Sequence, residues 1–158
     1  MYRIFTYCSL FGLVSTTETY AYNMYFHGTL INPPPCVISG AKQIDVDFSN
    51  SVETTKVDGI NYKKPIDYTL ACDVNPEFAL KMQLKGDVSS FDQTLLLTSV
   101  EDLGIQIIRN GQKIDVNEWM YFQYKNIPLL EAVPVKNKDA ILTGGKFDAT
   151  ATLLVEYI

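Results

Sequence analysis

The stretch Lys146-Phe-Asp-Ala-Thr-Ala-Thr-Leu-Leu-Val-Glu-Tyr-Ile158 decides the fold class. Phe147, Ala149, Ala151, Leu153, Val155 and Tyr157 fall on one face of an extended chain. Lys146, Asp148, Thr150, Thr152 and Glu156 fall on the other, with Leu154 the one apolar exception. Side chains of a β-strand alternate between faces, so a period of two with one apolar face marks a strand lying on a core. Gly144-Gly145 precedes it as a turn, and no hairpin follows it.

The same alternation recurs upstream. Ile44, Val46 and Phe48 share a face, with Asp45 and Asp47 opposite; Ile66, Tyr68, Leu70 and Cys72 form a second set, and Leu80, Met82 and Leu84 a third. Ile105 and Ile107 lead into Asn110-Gly111, which is followed by Ile114 and Val116. Asn-Gly between alternating runs signals a tight hairpin, because both residues accept positive φ. Residues 94–102 are too short and too leucine-rich to separate strand from a helical turn. Long helical periodicity, internal repeats and low-complexity segments are absent. The pattern predicts an all-β sandwich of about seven short strands.

The first residues read differently. Arg3 is followed by an apolar run from Ile4 to Val14, then by a polar stretch and by Thr19 and Ala21, small residues at the −3 and −1 positions of a cleavage site. Residues 1–21 are therefore expected to be a secretory signal peptide. The apolar run is too short to span a bilayer, and no other stretch approaches the roughly 20 apolar residues that a span needs. Cleavage leaves two cysteines, Cys36 and Cys72. In an oxidising compartment such a pair reads as one disulfide, worth about 4 kcal/mol on the chain-entropy model for a loop of about 37 residues.

Between the signal and Cys36, the residues Met24, Phe26, Gly28 and Leu30 alternate. Asn32-Pro33-Pro34-Pro35 then separates them from Cys36; prolines cannot donate ladder hydrogen bonds and favour a stiff, extended spacer. Spacing alone leaves two readings open: a strand held away from the domain body, or an ordinary edge strand followed by a proline turn.

Composition excludes several function classes. The chain has 158 residues, 47% apolar and 20% charged, which suits one globular domain. Its formal net charge of −5 argues against nucleic-acid or anionic-membrane partners, which need a basic face. Two cysteines and the sole histidine, His27, have no metal-ligand spacing, and no cofactor is expected. His27 lies in the extension rather than in a core, and Asp45 and Asp47 are explained by solvated alternation. Glu101-Asp102 and residues 136–139 read as surface loops. No catalytic motif is present, and the chain is not expected to be an enzyme.

Taken together, these features resemble a pilin subunit of the chaperone–usher pathway of Gram-negative bacteria. The resemblance covers essentially the whole precursor. It rests on the signal peptide, the extension ending His27-Gly28-Thr29-Leu30, the two cysteines and the C-terminal alternating strand. Gly145, fourteenth from the C-terminus, and the penultimate Tyr157 are similar to the family's C-terminal signature, read by the periplasmic chaperone. The resemblance implies an immunoglobulin-like sandwich lacking its last strand, with a hydrophobic groove beside the C-terminal strand. A periplasmic chaperone fills that groove first, and the N-terminal extension of a neighbouring subunit replaces it in a fibre assembled through an outer-membrane usher. The implied layout is a signal peptide at 1–21, a donor-strand extension at 22–32 and a pilin domain at 33–158. Met24, Phe26, Gly28 and Leu30 correspond to the donor strand. Gly145, Phe147, Ala149, Ala151, Leu153, Val155 and Tyr157 correspond to the groove edge and chaperone-binding strand, with the Ile158 carboxylate as an anchor for chaperone cations. Cys36–Cys72 corresponds to the family disulfide.

One departure bears on the role. Rod-forming pilins are rich in Ala, Gly, Ser and Thr, whereas this chain has eight Ala and nine Gly, with many Tyr, Lys and Asp. That leans toward a minor or tip-adaptor subunit carried on the cell-surface fimbria. The alternatives are a single-domain adhesin, for which Trp119 with Tyr121, Phe122 and Tyr124 is either a binding patch or core packing, and a subunit that terminates the fibre.

Overall fold

A computed structural model of the chain describes residues 22–30, 36–73 and 77–158. The expected signal peptide at 1–21 and the proline spacer at 33–35 lie outside the described residues. Residues 22–30 carry no regular secondary structure, and Tyr22, Met24, Phe26 and Leu30 are all exposed. The Tyr25 and His27 rings stack at 5.4 Å. The alternation of that segment is therefore present without a ladder; a lone strand gains nothing until a partner satisfies its backbone groups.

From Cys36 on, the described chain is built of ten strands and three short 3₁₀ turns. The order is β1 (Val37–Ile38), β2 (Lys64–Pro65), β3 (Leu70–Ala71), β4 (Ala79–Gly86), β5 (Leu96–Leu97), β6 (Leu103–Arg109), β7 (Gln112–Ile114), β8 (Trp119–Gln123), β9 (Leu130–Lys136) and β10 (Ala151–Tyr157). One sheet runs β10-β4-β8, a second runs β2-β9-β6-β5 with β7 paired to β6, and β1 pairs with β3. All pairings are antiparallel.

The two larger sheets face each other across the core. Leu80 and Met82 from β4 and Met120 and Phe122 from β8 pack with Leu130 from β9. Leu84 from β4 packs with Leu96, Ile105, Ile107 and Ala132 from the opposite sheet. This is the sandwich that the period-two pattern predicts, and its third alternating set, Leu80, Met82 and Leu84, is its most buried row.

The Asn110-Gly111 hairpin forms as expected. Asn110 has φ 48° and Gly111 φ 82°, and Arg109 pairs directly with Gln112. Both central residues in the left-handed region give the turn whose twist matches the flanking strands. The leucine-rich stretch at 94–102 contributes the short strand β5, whose Leu96 pairs with Ile105.

Two expected strands form only in part. Residues 42–49 show the expected burial alternation, with Ile44, Val46 and Phe48 half-buried and Asp45 and Asp47 exposed, yet belong to no ladder. The C-terminal strand, expected from Phe147, enters its ladder only at Ala151. In both cases the sequence pattern is strand-like while no strand ladder forms among the described residues.

Candidate functional site

These two segments border the same open space. A cleft of about 550 Å³ is lined on one side by Ile44, Val46 and Phe48 and on the other by Phe147, Ala149, Ala151 and Leu153. Its floor is the sandwich core itself: Leu84, Leu96, Ile105, Ile107 and Ala132. A second cleft of about 570 Å³ continues it, lined by Val52, Val57, Val100, Leu103 and Leu142 together with Gly144 and Gly145. Both clefts touch Phe48 and Phe147, whose ring centroids stand 5.8 Å apart. The two rings thus mark a constriction between two halves of one groove.

The backbone along this groove is open. β10 is an edge of its sheet, paired on one side with β4 in the register Leu153↔Leu84 and Tyr157↔Leu80. Ahead of β10, the amide of Asp148 donates to the Ser99 hydroxyl at 3.0 Å and its carbonyl accepts from the Ser99 amide at 2.8 Å. In an extended chain alternate residues aim their backbone groups at opposite edges, so those of Phe147 and Ala149 face the other way. No strand among the described residues runs along that side. Unpaired strand backbone above an apolar floor is a surface that favours pairing with a further strand.

β4, β5 and the start of β10 approach closely at Gly86. A Cβ on Gly86 would stand 2.4 Å from Leu96 Cδ1 and 3.2 Å from the Thr150 carbonyl, so a side chain there makes Leu96 and Thr150 shift. Gly145 has open space around it but a φ of 157°, which L side chains rarely adopt. Ala149 and Ala151 are exposed along the mouth, and Leu153, Val155 and Tyr157 are half-buried against the core.

At its far end the C-terminal strand is tied to the disulfide. Cys36 and Cys72 are bonded, and the Tyr157 hydroxyl donates to the Cys36 sulfur at 3.3 Å. The Tyr157 ring meets Phe78 edge-on at 6.2 Å. The Tyr124 hydroxyl accepts from the Cys72 amide at 3.1 Å and donates to the Leu70 carbonyl at 3.3 Å, bracing β3 beside the bridge. Tyr68 donates to the Pro128 carbonyl, and burial raises its phenol to about 12.

The aromatic cluster named from sequence divides between two faces. Phe122 is buried in the core, whereas Trp119 and Tyr121 lie on the outer face of β8. Lys81 Nζ stands 4.4 Å over the Trp119 ring and pairs with Glu156 at 2.9 Å. Among the described residues no group of histidine, cysteine, aspartate and glutamate side chains has metal-binding geometry, and no helix is long and apolar enough to cross a membrane.

Sequence reasoning marked the C-terminal edge of this groove. It missed the floor, the constriction at Phe48, the close approach at Gly86 and the Ser99 tether. The signal for Phe48 was present in its alternation with Asp47, but nothing in the spacing says that residues 42–49 lie across from 147–153.

The sequence model of the fimbrial protein family matches residues 24–158. The chain belongs to that family. Among curated relatives it is 36% identical over 138 residues to the uncharacterized fimbrial-like protein YfcQ of Escherichia coli (strain K12), covering 84% of this chain and 85% of that protein. It is 35% identical over 155 residues to the fimbrial-like protein YfcR of the same organism, covering 95% and 89%. Among solved structures the fold is similar to the P pilus rod subunit PapA, with TM-score 0.65 at 22% identity over 78% of this chain and 99% of that one. It is also similar to the P pilus adaptor subunit PapF, with TM-score 0.60 at 23% identity over 80% and 98%. The chain is thus a fimbrial subunit with the immunoglobulin-like pilin fold, from a family whose members are structural components of the surface pilus.

Proposed function

We propose that this fimbrial subunit is a linking, adaptor-type component that receives a β-strand in its groove and lends its own N-terminal extension to a neighbour. The observation that carries the reading is the groove itself, bordered by residues 42–49 and 147–153 over a floor of core side chains, with no strand of the described chain along it. Strand addition supplies main-chain hydrogen bonds, while alternate side chains give specificity.

The extension fits this geometry as a donor. Met24, Phe26 and Leu30 each contribute roughly 1.5–3 kcal/mol on full burial, and each main-chain bond adds about 1 kcal/mol net. Gly28 belongs at the Phe48–Phe147 constriction, where a side chain has least room. Two apolar residues precede that glycine and one follows it. The first cleft follows the C-terminal strand from Phe147 to Leu153, and the second ends at Gly144 and Gly145. In this reading Met24 and Phe26 occupy the first cleft and Leu30 the second, with the donor antiparallel to β10.

In this reading residues 1–21 direct export, 22–32 are the donor segment and 33–158 the accepting domain. A periplasmic chaperone holds the groove in transit, reading Gly145 and the strand to Tyr157, and an outer-membrane usher passes the subunit to the fibre. A chain whose work is to complete a neighbour's sandwich needs no catalytic group. The test is periplasmic expression with and without the cognate chaperone. The chain should accumulate as a chaperone complex, and deletion of residues 22–31 should keep that complex while abolishing entry into fibres. A deletion variant that still polymerises overturns the donor assignment.

A further inference from the structure

Apart from β10, β8 is the longest strand of the described chain with a partner on one side only. The Tyr124 amide donates to the Phe78 carbonyl at 3.0 Å, which fixes the alternation of the β4–β8 ladder. Leu80↔Phe122 and Met82↔Met120 are then its hydrogen-bonded pairs, and Gln83↔Trp119, Lys81↔Tyr121 and Ala79↔Gln123 its non-bonded ones. The backbone groups of Trp119, Tyr121 and Gln123 therefore point away from β4, toward the open edge.

The sequence of this edge favours association. Trp119-Met-Tyr-Phe-Gln-Tyr124 is rich in aromatic residues and holds neither a charge nor a proline. A short window of that make-up on an exposed edge is a site of strand-to-strand pairing. Its alternation also matches itself. An antiparallel pairing centred on Tyr121 sets Trp119 opposite Gln123, continues the row of Met120 and Phe122 on the core face, and uses the outward backbone groups of both copies. The other strands paired on one side only, β1, β2, β3, β5 and β7, are two or three residues long, and β2 carries Pro65.

A guanidinium occupies the middle of this edge. Arg109 ends β6 in the opposite sheet, where its backbone is paired with Gln112 and Leu130. From that fixed base its Nη2 donates to the Tyr121 carbonyl at 2.7 Å. This is the central outward acceptor, the one an added strand would need. Arginine stays charged at any pH a folded protein meets, and a charged side chain along an edge is a device that keeps other strands off. We infer that Arg109 guards the β8 edge, keeping β8 of a second copy from pairing there and so confining strand addition to the groove. The confinement rests on the strand-addition reading above; the guarding of β8 does not.

The experiment uses the chain from residue 22 on, oxidised, with a saturating peptide of residues 22–31 to fill the groove. Arg109→Met should form a two-copy complex at a concentration roughly tenfold lower than the native chain, the scale of one hydrogen bond to a charged group. Protection from hydrogen exchange should appear with association at the amides of Trp119, Tyr121 and Gln123, and peptide affinity should not change. Adding Tyr121→Glu, which puts a charge into the window opposite Lys81, should return the variant to a monomer. If Arg109→Met does not fold, Arg109→Lys, which keeps the charge without the fork, should show the same shift in smaller measure. A variant that binds the peptide and stays as monomeric as the native chain overturns the guard and leaves the groove reading intact. Association without new protection at those three amides, or a changed peptide affinity, overturns β8 as the place where Arg109 acts. If neither chain binds the peptide, the groove reading fails, and the same exchange comparison decides the guard: protection at the three amides in the variant alone upholds it, and equal exchange overturns it.

Discussion

Replacing Phe147 by alanine tests the groove at its narrowest point. Phe147 is half-buried, packs on the cluster of Leu84, Leu96, Ile105, Ile107 and Ala132, and meets Phe48 at 5.8 Å. A fully buried Phe→Ala change costs about 3–5 kcal/mol, so a half-buried one in the unfilled groove costs about 2 kcal/mol. The aromatic pair supplies about 0.5–1.5 kcal/mol of that. Filling the groove encloses the ring, and the cost then rises by about 1–2 kcal/mol, which appears as a roughly tenfold weaker donor peptide. The same truncation makes room opposite Gly28. A peptide with Gly28→Ala should bind poorly to the native groove and recover at least about 1 kcal/mol on Phe147→Ala, a coupling that only neighbouring residues show. The assay is a chain beginning at residue 36, refolded oxidised with excess peptide of residues 22–31, with affinity by polarisation and stability by urea denaturation. If Phe147→Ala changes neither stability nor peptide affinity, or if the two substitutions are additive, the constriction and the donor register are wrong.

Other consequences follow from the same structure. Replacing Cys36 and Cys72 together by alanine should cost about 4 kcal/mol in the peptide-filled domain, read as a lower urea midpoint with a steeper slope, because the unbridged chain exposes more surface on unfolding. Gly86→Ala forces a Cβ against Leu96 and the Thr150 carbonyl and should cost about 1–3 kcal/mol, with calorimetry as the check. Tyr68, raised to about 12 by burial, binds its proton more tightly folded than unfolded. Stability from that group is complete below about pH 10 and is lost as pH rises through about 12, so the native chain should lose more stability than Tyr68→Phe between pH 9.5 and 11.5 in paired denaturation curves.

How much was legible beforehand depended on where the determinant lay. Strands such as β4 and the Asn110-Gly111 hairpin were readable because the face alternation and positive-φ demand are local. The disulfide was readable from two cysteines once export was expected. The strand character of 42–49 and 147–150 was readable from side chains, but their lack of ladders was not. Hydrogen-bond partnership is a tertiary property, and period-two patterning looks the same whether or not a neighbour is present. β6 gave a further miss. Every residue from Leu103 to Ile108 is buried, and Gln106 is accommodated by donating to the Ile107 and Ile114 carbonyls. The crowding at Gly86 comes from Leu96 and Thr150, far away in sequence.

The most direct measurement is backbone amide hydrogen exchange of the domain from residue 36, with and without the 22–31 peptide. The account predicts fast exchange along residues 43–48 and at those amides of 147–155 that face away from β4 and Ser99 in the free domain, and strong protection of both sets when the peptide binds, with a large rise in melting temperature. Equal protection in both states, in a domain that unfolds reversibly at high temperature alone, would contradict it.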